Sequence, residues 1–444
     1  MNIWQQAAAM AAQTPADRNR YADFLRAVSI LMVIIGHWLI AAIWADGNGI
    51  HTTSILREQP ATQWLTWLFQ VMPVFFIVGG YANAVSLESA SKKGMGYGKW
   101  LISRLERLLR PLLPLVMVWT AAALVLNQQG LAAESITGIT QAALVPVWFL
   151  AIYTLIVAMA PLAFRAWQRL GFVSVIIPAA LAVATDIISF NTSFAGIAWT
   201  NYLWVWLTVH QLGFAWRAGR LQSTTKRALL AISGWAALAA LVALGPYPLA
   251  MAGSPDPALS NTLAPKITLI ALGCGQFGLL LLAQNFVNRL LSKKPLWTAT
   301  ILINSMIMSL YLWHITVMLI VCGLGFWIGN AFMAIEPGTA IWWYTRPAWM
   351  GLLFVTLIPV ALILSSLERS GHSHKYPAPH ASRQVAGAII ACAGIALMSA
   401  QGVSSQSGLR SLLLPTGTVI GGTLLAGIRV PGYTTLRRRL SALA

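Results

Sequence analysis

Apolar runs of about twenty residues, separated by short polar segments, recur along the whole chain. A helix rises about 1.5 Å per residue, so such a run crosses a hydrocarbon layer about 30 Å thick. The pattern predicts spans at 24–43, 64–85, 111–127, 146–164, 171–190, 199–216, 229–250, 267–288, 299–328, 348–366, 385–401 and 412–428. The last two are short and rich in small residues. The expected fold is an all-α polytopic membrane protein.

Composition agrees with this pattern. The 444 residues are 58% hydrophobic and 9% charged, with a mean hydropathy of +0.70. A soluble domain carries about a quarter charged residues, so a soluble enzyme is excluded. The net charge of +18 fits basic cytoplasmic loops better than a nucleic-acid partner. Residues 1–22 lack the basic start, apolar run and cleavage site of a signal peptide, and read as a cytoplasmic tail. Cys274, Cys322 and Cys392 lie in apolar runs without metal-ligand spacing, so neither a disulfide framework nor a metal site is expected.

Lysine and arginine positions orient the spans. With the N-terminus inside, the even-numbered junctions and both tails hold twenty-five of the 29 basic residues. The outer segments keep Arg57, Lys266, Arg346 and Arg410. So strong a bias predicts an N-in, C-in protein of the plasma (inner) membrane. The expected organisation is a tail (1–22), a ten-span core (23–367), a basic loop holding His372, His374 and His380 (368–384), two further spans (385–428) and a basic tail (429–444). No internal repeat is visible, which argues against a transporter built from duplicated halves.

Candidate chemistry begins in the first span, where Arg26 and His37 bracket an apolar stretch, RAVSILMVIIGH. Ionisable groups inside a membrane are costly and mark function by default. Alone, Arg26 reads as a snorkelling side chain and His37 as a neutral core histidine. Eleven residues make about three helical turns, so the two share one face about 16 Å apart. Such a face suits a long, thin ligand with an anionic head and a reactive tip, and an acyl-coenzyme A has that shape.

The segment YADFLRAVSILMVIIGHWL resembles the first helix of the acyltransferase-3 family of membrane-bound O-acyltransferases. Asp23, Arg26 and His37 match its acidic residue, arginine and histidine. MPVFFIVGGYANA (72–84), RLERLLRPLLP (104–114), PVWFLAIY (146–153) and SLYLWHIT (309–316) are similar to further family elements, in the family's order. The resemblance covers roughly residues 20–367. It implies a ten-helix acyltransferase core, with about two further helices appended. The glutamate that many members carry a few residues after the tryptophan is missing from WFLAIYTL.

On that resemblance Asp23, His37 and His314 become catalytic candidates, with His314 second to His37. Arg26, Arg104, Arg107, Arg110, Trp148 and Tyr153 become candidates for binding the acyl-coenzyme A co-substrate. The three loop arginines recur every three residues at the entry to the third span, and guanidinium forks suit phosphate oxygens. Positive-inside bias accounts for part of their presence. Three arginines at a helix N-terminus would oppose its dipole unless an anion were bound.

Among the remaining polar groups, Asp186 reads as facing water at an outer helix end, and His210 has no spacing argument behind it. Asn83, Asn304 and Ser305 read as helix–helix hydrogen bonds. The aromatic run IWWYTRPAW (341–349) reads as an interfacial belt.

The expected reaction moves an acyl group, acetyl above all, from cytoplasmic acyl-coenzyme A to a hydroxyl beyond the membrane. The resemblance implies a glycan, lipid-linked sugar or small-metabolite acceptor. His37 would act as general base or as a covalent acyl relay. Expected partners are the donor, a carbohydrate, glycolipid or small-molecule acceptor, and membrane lipids. The rival reading is a proton-coupled transporter using Asp23, His37 and His314 as a relay.

Overall fold

The structure is a computed structural model. It describes residues 2–15, 17–46, 49–254, 259–329, 332–369, 378–403 and 409–428. His372, His374 and the tail 429–444 lie outside the described residues.

Helix dominates, as the apolar pattern requires. Ten helical stretches among the described residues are long and apolar enough to cross a membrane. They run over Arg20–Ile40, Pro60–Lys92, Tyr97–Gln128, Val147–Leu170, Val173–Asn191, Thr224–Leu244, Ile267–Leu291, Ile307–Trp327, Ala340–Ser365 and Ala381–Gln401. The two other expected spans are also helical but shorter, at Asn201–Arg217 and Leu409–Leu425. The chain is an all-α polytopic membrane protein.

Two compact units interleave along the sequence. The first comprises Met1–Ser86, Leu162–Ile307 and Cys322–Leu352; the second comprises Leu87–Pro161, Met308–Val321 and Leu353–Ala444.

In the first unit, helices Met72–Lys92 and Asn201–Arg217 cross at Gly80 and Gly213. A Cβ built on Gly80 would lie 1.9 Å from the His210 carbonyl oxygen, and one on Gly213 would lie 2.1 Å from that of Ile77. Without side chains here, the two backbones touch, the packing mode that apolar lipid favours between helices. Beside this crossing, Asn83 on one helix meets the Nε2 of buried His210 on the other at 3.0 Å.

The expected span 64–85 is interrupted rather than continuous. A 3-10 turn (Pro60–Leu65) and a short helix (Thr66–Phe69) stop at Gln70, and a new helix starts at Met72. Unwound backbone at membrane depth needs substitute partners. Gln276 supplies them, donating to the carbonyls of Trp67 (2.8 Å) and Gln70 (3.2 Å). Gln70 itself accepts from the Met72 amide (3.3 Å) and donates to the Met251 carbonyl (3.1 Å).

The expected span 299–328 is likewise two helices, Lys294–Ser305 and Ile307–Trp327, parted at Met306 with φ −126°. No proline or glycine marks that break. Asn304 and Ser305, in the last turn before it, have side chains bonded to backbone carbonyls (2.9 and 2.7 Å). Such bonds compete with the helical ladder.

The first span ends at Ile40, and strand Ala41–Asp46 begins at the next residue. It pairs antiparallel with Gly49–Ser54, placing Trp44 opposite His51. The hairpin is held by the Ala45 amide donating to the Met333 carbonyl at 2.9 Å. Residues 1–22 are not plain tail. Helix Ile3–Ala12 is capped by Asn2, and Trp297 donates its indole N–H to the Ala11 carbonyl and the Thr14 hydroxyl.

In the second unit, helix Tyr97–Leu109 buries Trp100, Leu101, Ile102, Leu105 and Leu109 along one face. Helices Ala381–Gln401 and Leu409–Leu425 join this unit through polar contacts to its other helices. Thr120 meets Thr416 at 2.7 Å, and the Cys392 thiol donates to the Ala151 carbonyl at 3.3 Å.

Candidate functional site

In the first unit, the sequence places Asp23, Arg26 and His37 on one continuous helix, Arg20–Ile40. Asn19 caps it, its side chain accepting from the Ala22 amide at 3.1 Å. Asp23, in the first turn, is only 8% exposed. Its carboxylate joins two arginines: Arg18 through Nε to Oδ2, and Arg26 through Nη2 to Oδ1 at 3.1 Å. The Asp23 carboxylate holds the Arg18 guanidinium above its ordinary value by hydrogen bond and charge, against the opposing effect of burial. Two guanidiniums on one carboxylate leave a net positive cluster.

Arg26 is fixed from a second direction. Its Nε donates to the Asn304 side-chain oxygen at 2.7 Å. The Asn304 amide nitrogen donates to the Asp23 carbonyl and the Thr300 carbonyl, each at 2.9 Å. Asn304 is thus the helix–helix bond expected of it, whereas Ser305 bonds only within its own helix, to Leu302. The side-chain partners that the sequence did not reveal here are Arg18 and the attachment of Asn304 to Arg26. Spacing does not expose the second, since Asn304 lies 278 residues from Arg26. Arg18 is only five residues from Asp23 but lies before the helix, where no helical face relates the two.

His37 lies half-buried in the last turn of the same helix, its carbonyl accepting from the Ala41 amide. Eleven residues of unbroken helix separate it from Arg26, which keeps both on one face about 16 Å apart. The Phe69 side chain packs against neighbouring Gly36, at the end of the short helix before the Gln70 interruption.

In the second unit, the arginine spacing is as read but its helical context differs. Arg104 and Arg107 lie toward the C-terminal end of helix Tyr97–Leu109, and Arg110 is its C-cap. The expected clash with an N-terminal dipole is therefore corrected. Pro111, which lacks an N–H, begins the next helix, so the arginines stand where the preceding helix's dipole favours cations. Arg107 is exposed, while Arg104 and Arg110 are half-buried. The Arg104 guanidinium sits 5.8 Å from the Trp100 ring centre.

The same unit gathers Trp148, Tyr153 and His314 around two residues the sequence did not single out, Phe149 and Tyr311. Trp148 meets Phe149 edge-on at 6.4 Å, and Tyr153 stacks on Phe149 at 5.4 Å. Tyr311 meets Phe149 edge-on at 5.6 Å and tilts toward His314 at 6.1 Å. The Tyr311 hydroxyl donates to the Pro146 carbonyl. His314 is fully buried, and its Nδ1 lies 2.6 Å from the Tyr311 carbonyl oxygen. A carbonyl only accepts, so Nδ1 carries the proton, and in the neutral ring Nε2 keeps a lone pair.

Asp186, read as facing water, is instead 1% exposed. It accepts from Asn201 (2.8 Å), Tyr247 (3.2 Å) and the Ile267 amide (3.0 Å), with the Lys266 ammonium at 3.8 Å. Burial, reinforced by the adjacent carboxylate, pushes the Tyr247 phenol up. Among the described residues no three His, Cys, Asp or Glu side chains are placed to hold a metal ion.

The family model described as an acyltransferase domain, that of the acyltransferase-3 family, matches residues 19–366. Neither a curated protein nor a solved structure matches the chain. The matched region takes in Asp23, Arg26, His37, the three arginines, Trp148, Tyr153 and His314. It spans well over half of the chain and nearly coincides with the region in which the ordered motifs occur. The chain belongs to the acyltransferase-3 family, and it is a membrane acyltransferase.

Proposed function

We propose that this acyltransferase takes its acyl group, acetyl above all, from cytoplasmic acyl-coenzyme A and transfers it to a hydroxyl on the far side of the membrane. The observation that carries the reading is the first-span helix, with a clamped arginine near one end and a histidine three turns further along the same face. A thioester arm is long enough to lie along that interval. In the first unit, Arg26 receives the anionic part of the donor and Asp23 holds Arg26 in place. In the second unit, Arg104, Arg107 and Arg110 serve as donor-phosphate ligands. Trp148 and Tyr153 offer aromatic surface for an acyl chain or pantetheine arm.

His37 acts on the acceptor in one of two balanced ways. As general base it removes the hydroxyl proton while the alkoxide oxygen attacks the thioester carbonyl and the coenzyme A thiolate leaves. As relay its neutral ring nitrogen takes the acyl group and expels the thiolate. The hydroxyl then takes the acyl group from the ring, its proton passes to the thiolate to give the coenzyme A thiol, and the neutral ring is restored. His314, with Nδ1–H committed to a backbone carbonyl, is the second histidine of the reading, behind His37. The acceptor is a hydroxyl of a glycan, a lipid-linked sugar or a small metabolite.

The test measures labelled acetyl-coenzyme A binding, and transfer of the label to envelope glycans and lipids, in membranes holding wild-type or His37→Ala protein. The variant is expected to bind donor and lose transfer by about a hundredfold or more. Full transfer by His37→Ala would remove the histidine from the reaction. Undiminished donor binding by Arg26→Ala and Arg104→Ala would remove the arginines from the donor site.

A further inference from the structure

We infer that Asn304 is a positioning residue for the donor: it sets the direction of the Arg26 guanidinium without cancelling the positive charge of the cluster that holds it. The inference rests on the reading that Arg26 receives the donor's anionic part.

Three hydrogen bonds define the arrangement. The Asn304 oxygen accepts from Arg26 Nε at 2.7 Å. Its nitrogen donates to the carbonyl of Asp23 at 2.9 Å and to that of Thr300, one turn back in its own helix, also at 2.9 Å. The amide has one orientation that serves all three partners. Reversed, its N–H groups would face the Arg26 N–H, and two backbone carbonyls would face its oxygen. Asn304 therefore ties the end of helix Lys294–Ser305 to both members of the Asp23–Arg26 pair.

The chemical type of the side chain matters as much as its place. Asp23 already shares one negative charge between Arg18 and Arg26. A neutral amide as the third partner leaves the cluster with a net positive charge for an anion. An aspartate at 304 would still accept from Nε, but it would cancel that charge. The side chain that fits here is one that accepts from Arg26, donates to the backbone and carries no charge.

The location supports a positioning role over simple packing. Helix Lys294–Ser305 ends one residue after Asn304, and Met306 leaves helical geometry. The side chain is thus the last polar hold of this helix on the first span. Arg26 has 27% of its side chain exposed, so the residue is held without being fully buried.

The experiment measures equilibrium binding of labelled acetyl-coenzyme A to purified full-length protein at low and high salt. Wild type is compared with Asn304→Ala, Asn304→Asp and Arg26→Ala. Each protein is assayed well below its thermal midpoint, because an apparent dissociation constant rises when part of the protein is not binding-competent. A purely structural loss would in addition show no dependence on salt. Asn304→Ala is expected to weaken binding about tenfold, in line with losing hydrogen bonds to a charged group. Asn304→Asp is expected to weaken it further at low salt, and the additional loss should shrink as salt screens the new charge. If Asn304→Ala does not fold, Asn304→Asp, of nearly equal size, carries the test alone. Weakened binding by Arg26→Ala with wild-type affinity in a folded Asn304 variant would overturn this inference while sparing the donor reading. Wild-type affinity in Arg26→Ala would overturn both.

Discussion

Gly80 lies directly against the carbonyl of His210, with no room for a methyl group between the two helices. A Cβ at 1.9 Å from a backbone oxygen leaves no rotamer to relieve it, because the obstacle is main chain. Gly80→Ala is expected to part helices Met72–Lys92 and Asn201–Arg217 and to destabilise the protein by about 2–4 kcal/mol, a range typical of overpacking or somewhat beyond it. Gly213→Ala should do the same from the other side. Thermal unfolding in detergent checks both, and a wild-type midpoint in Gly80→Ala would contradict the crossing.

Asp186 gathers three hydrogen-bond donors and one ammonium from three parts of the chain near the end of helix Val173–Asn191. Asp186→Ala removes the acceptor for Asn201, Tyr247 and the Ile267 amide, and leaves the Lys266 ammonium without its carboxylate. A loss of about 3 kcal/mol or more is expected. The described segments 245–254 and 259–266 should become more open to protease. Limited proteolysis of detergent-purified protein reads this out, and an unchanged cleavage pattern would count against the tether.

The Arg18–Asp23–Arg26 cluster is asymmetric in charge, so its members should not respond alike. Asp23→Asn leaves two guanidiniums together and is expected to cost about 1–3 kcal/mol, moderated because both arginines are partly exposed. Adding Arg18→Gln to Asp23→Asn should recover part of that loss. The thermal midpoints of both singles and the double complete the cycle. Strict additivity would show that Arg18 and Asp23 are not coupled.

His314 holds its Nδ1 proton on the Tyr311 carbonyl, and Tyr311 is itself anchored by its hydroxyl. Tyr311→Phe keeps the ring contacts but loses the bond to Pro146, and about 1 kcal/mol of stability should go with it. His314→Ala leaves the Tyr311 carbonyl without this donor and removes Nε2. Acyl transfer is expected to fall at least about tenfold in His314→Ala while acetyl-coenzyme A binding stays near wild type. Equal transfer in both proteins would limit His314 to packing.

The sequence carried much of this molecule, for reasons that differ from element to element. Hydropathy located the spans because a bilayer demands length and apolarity, whatever the neighbours. It could not see the interruptions at Gln70 and Met306. Apolar residues continue through both breaks, and what replaces the helical bonds comes from Gln276, some two hundred residues away, and from the local side chains of Asn304 and Ser305. The hairpin was hidden because its first strand, AAIWAD, extends the apolar run of the first span. The turn-forming residues that follow, Asp46 to Gly49, were the available signal. Arg26 and His37 were legible because their relation is local and helical. Asn304 as the partner of Arg26 was not, since it depends on which helix packs beside the first. The arginine triplet was found by spacing, but its dipole argument assumed one helix where Pro111 separates two.

Helix Arg20–Ile40 passes into strand Ala41–Asp46 without a single linking residue. That junction acts as a ruler on the primary structure. One residue inserted between His37 and Ala41 would turn the hairpin about 100° around the helix axis, or else exchange the faces of its first strand. The Ala45–Met333 bond resists the first change, and the Trp44–His51 pairing resists the second. The interval from His37 to the hairpin should therefore tolerate substitution far better than insertion or deletion, so that length rather than identity is the protected quantity there.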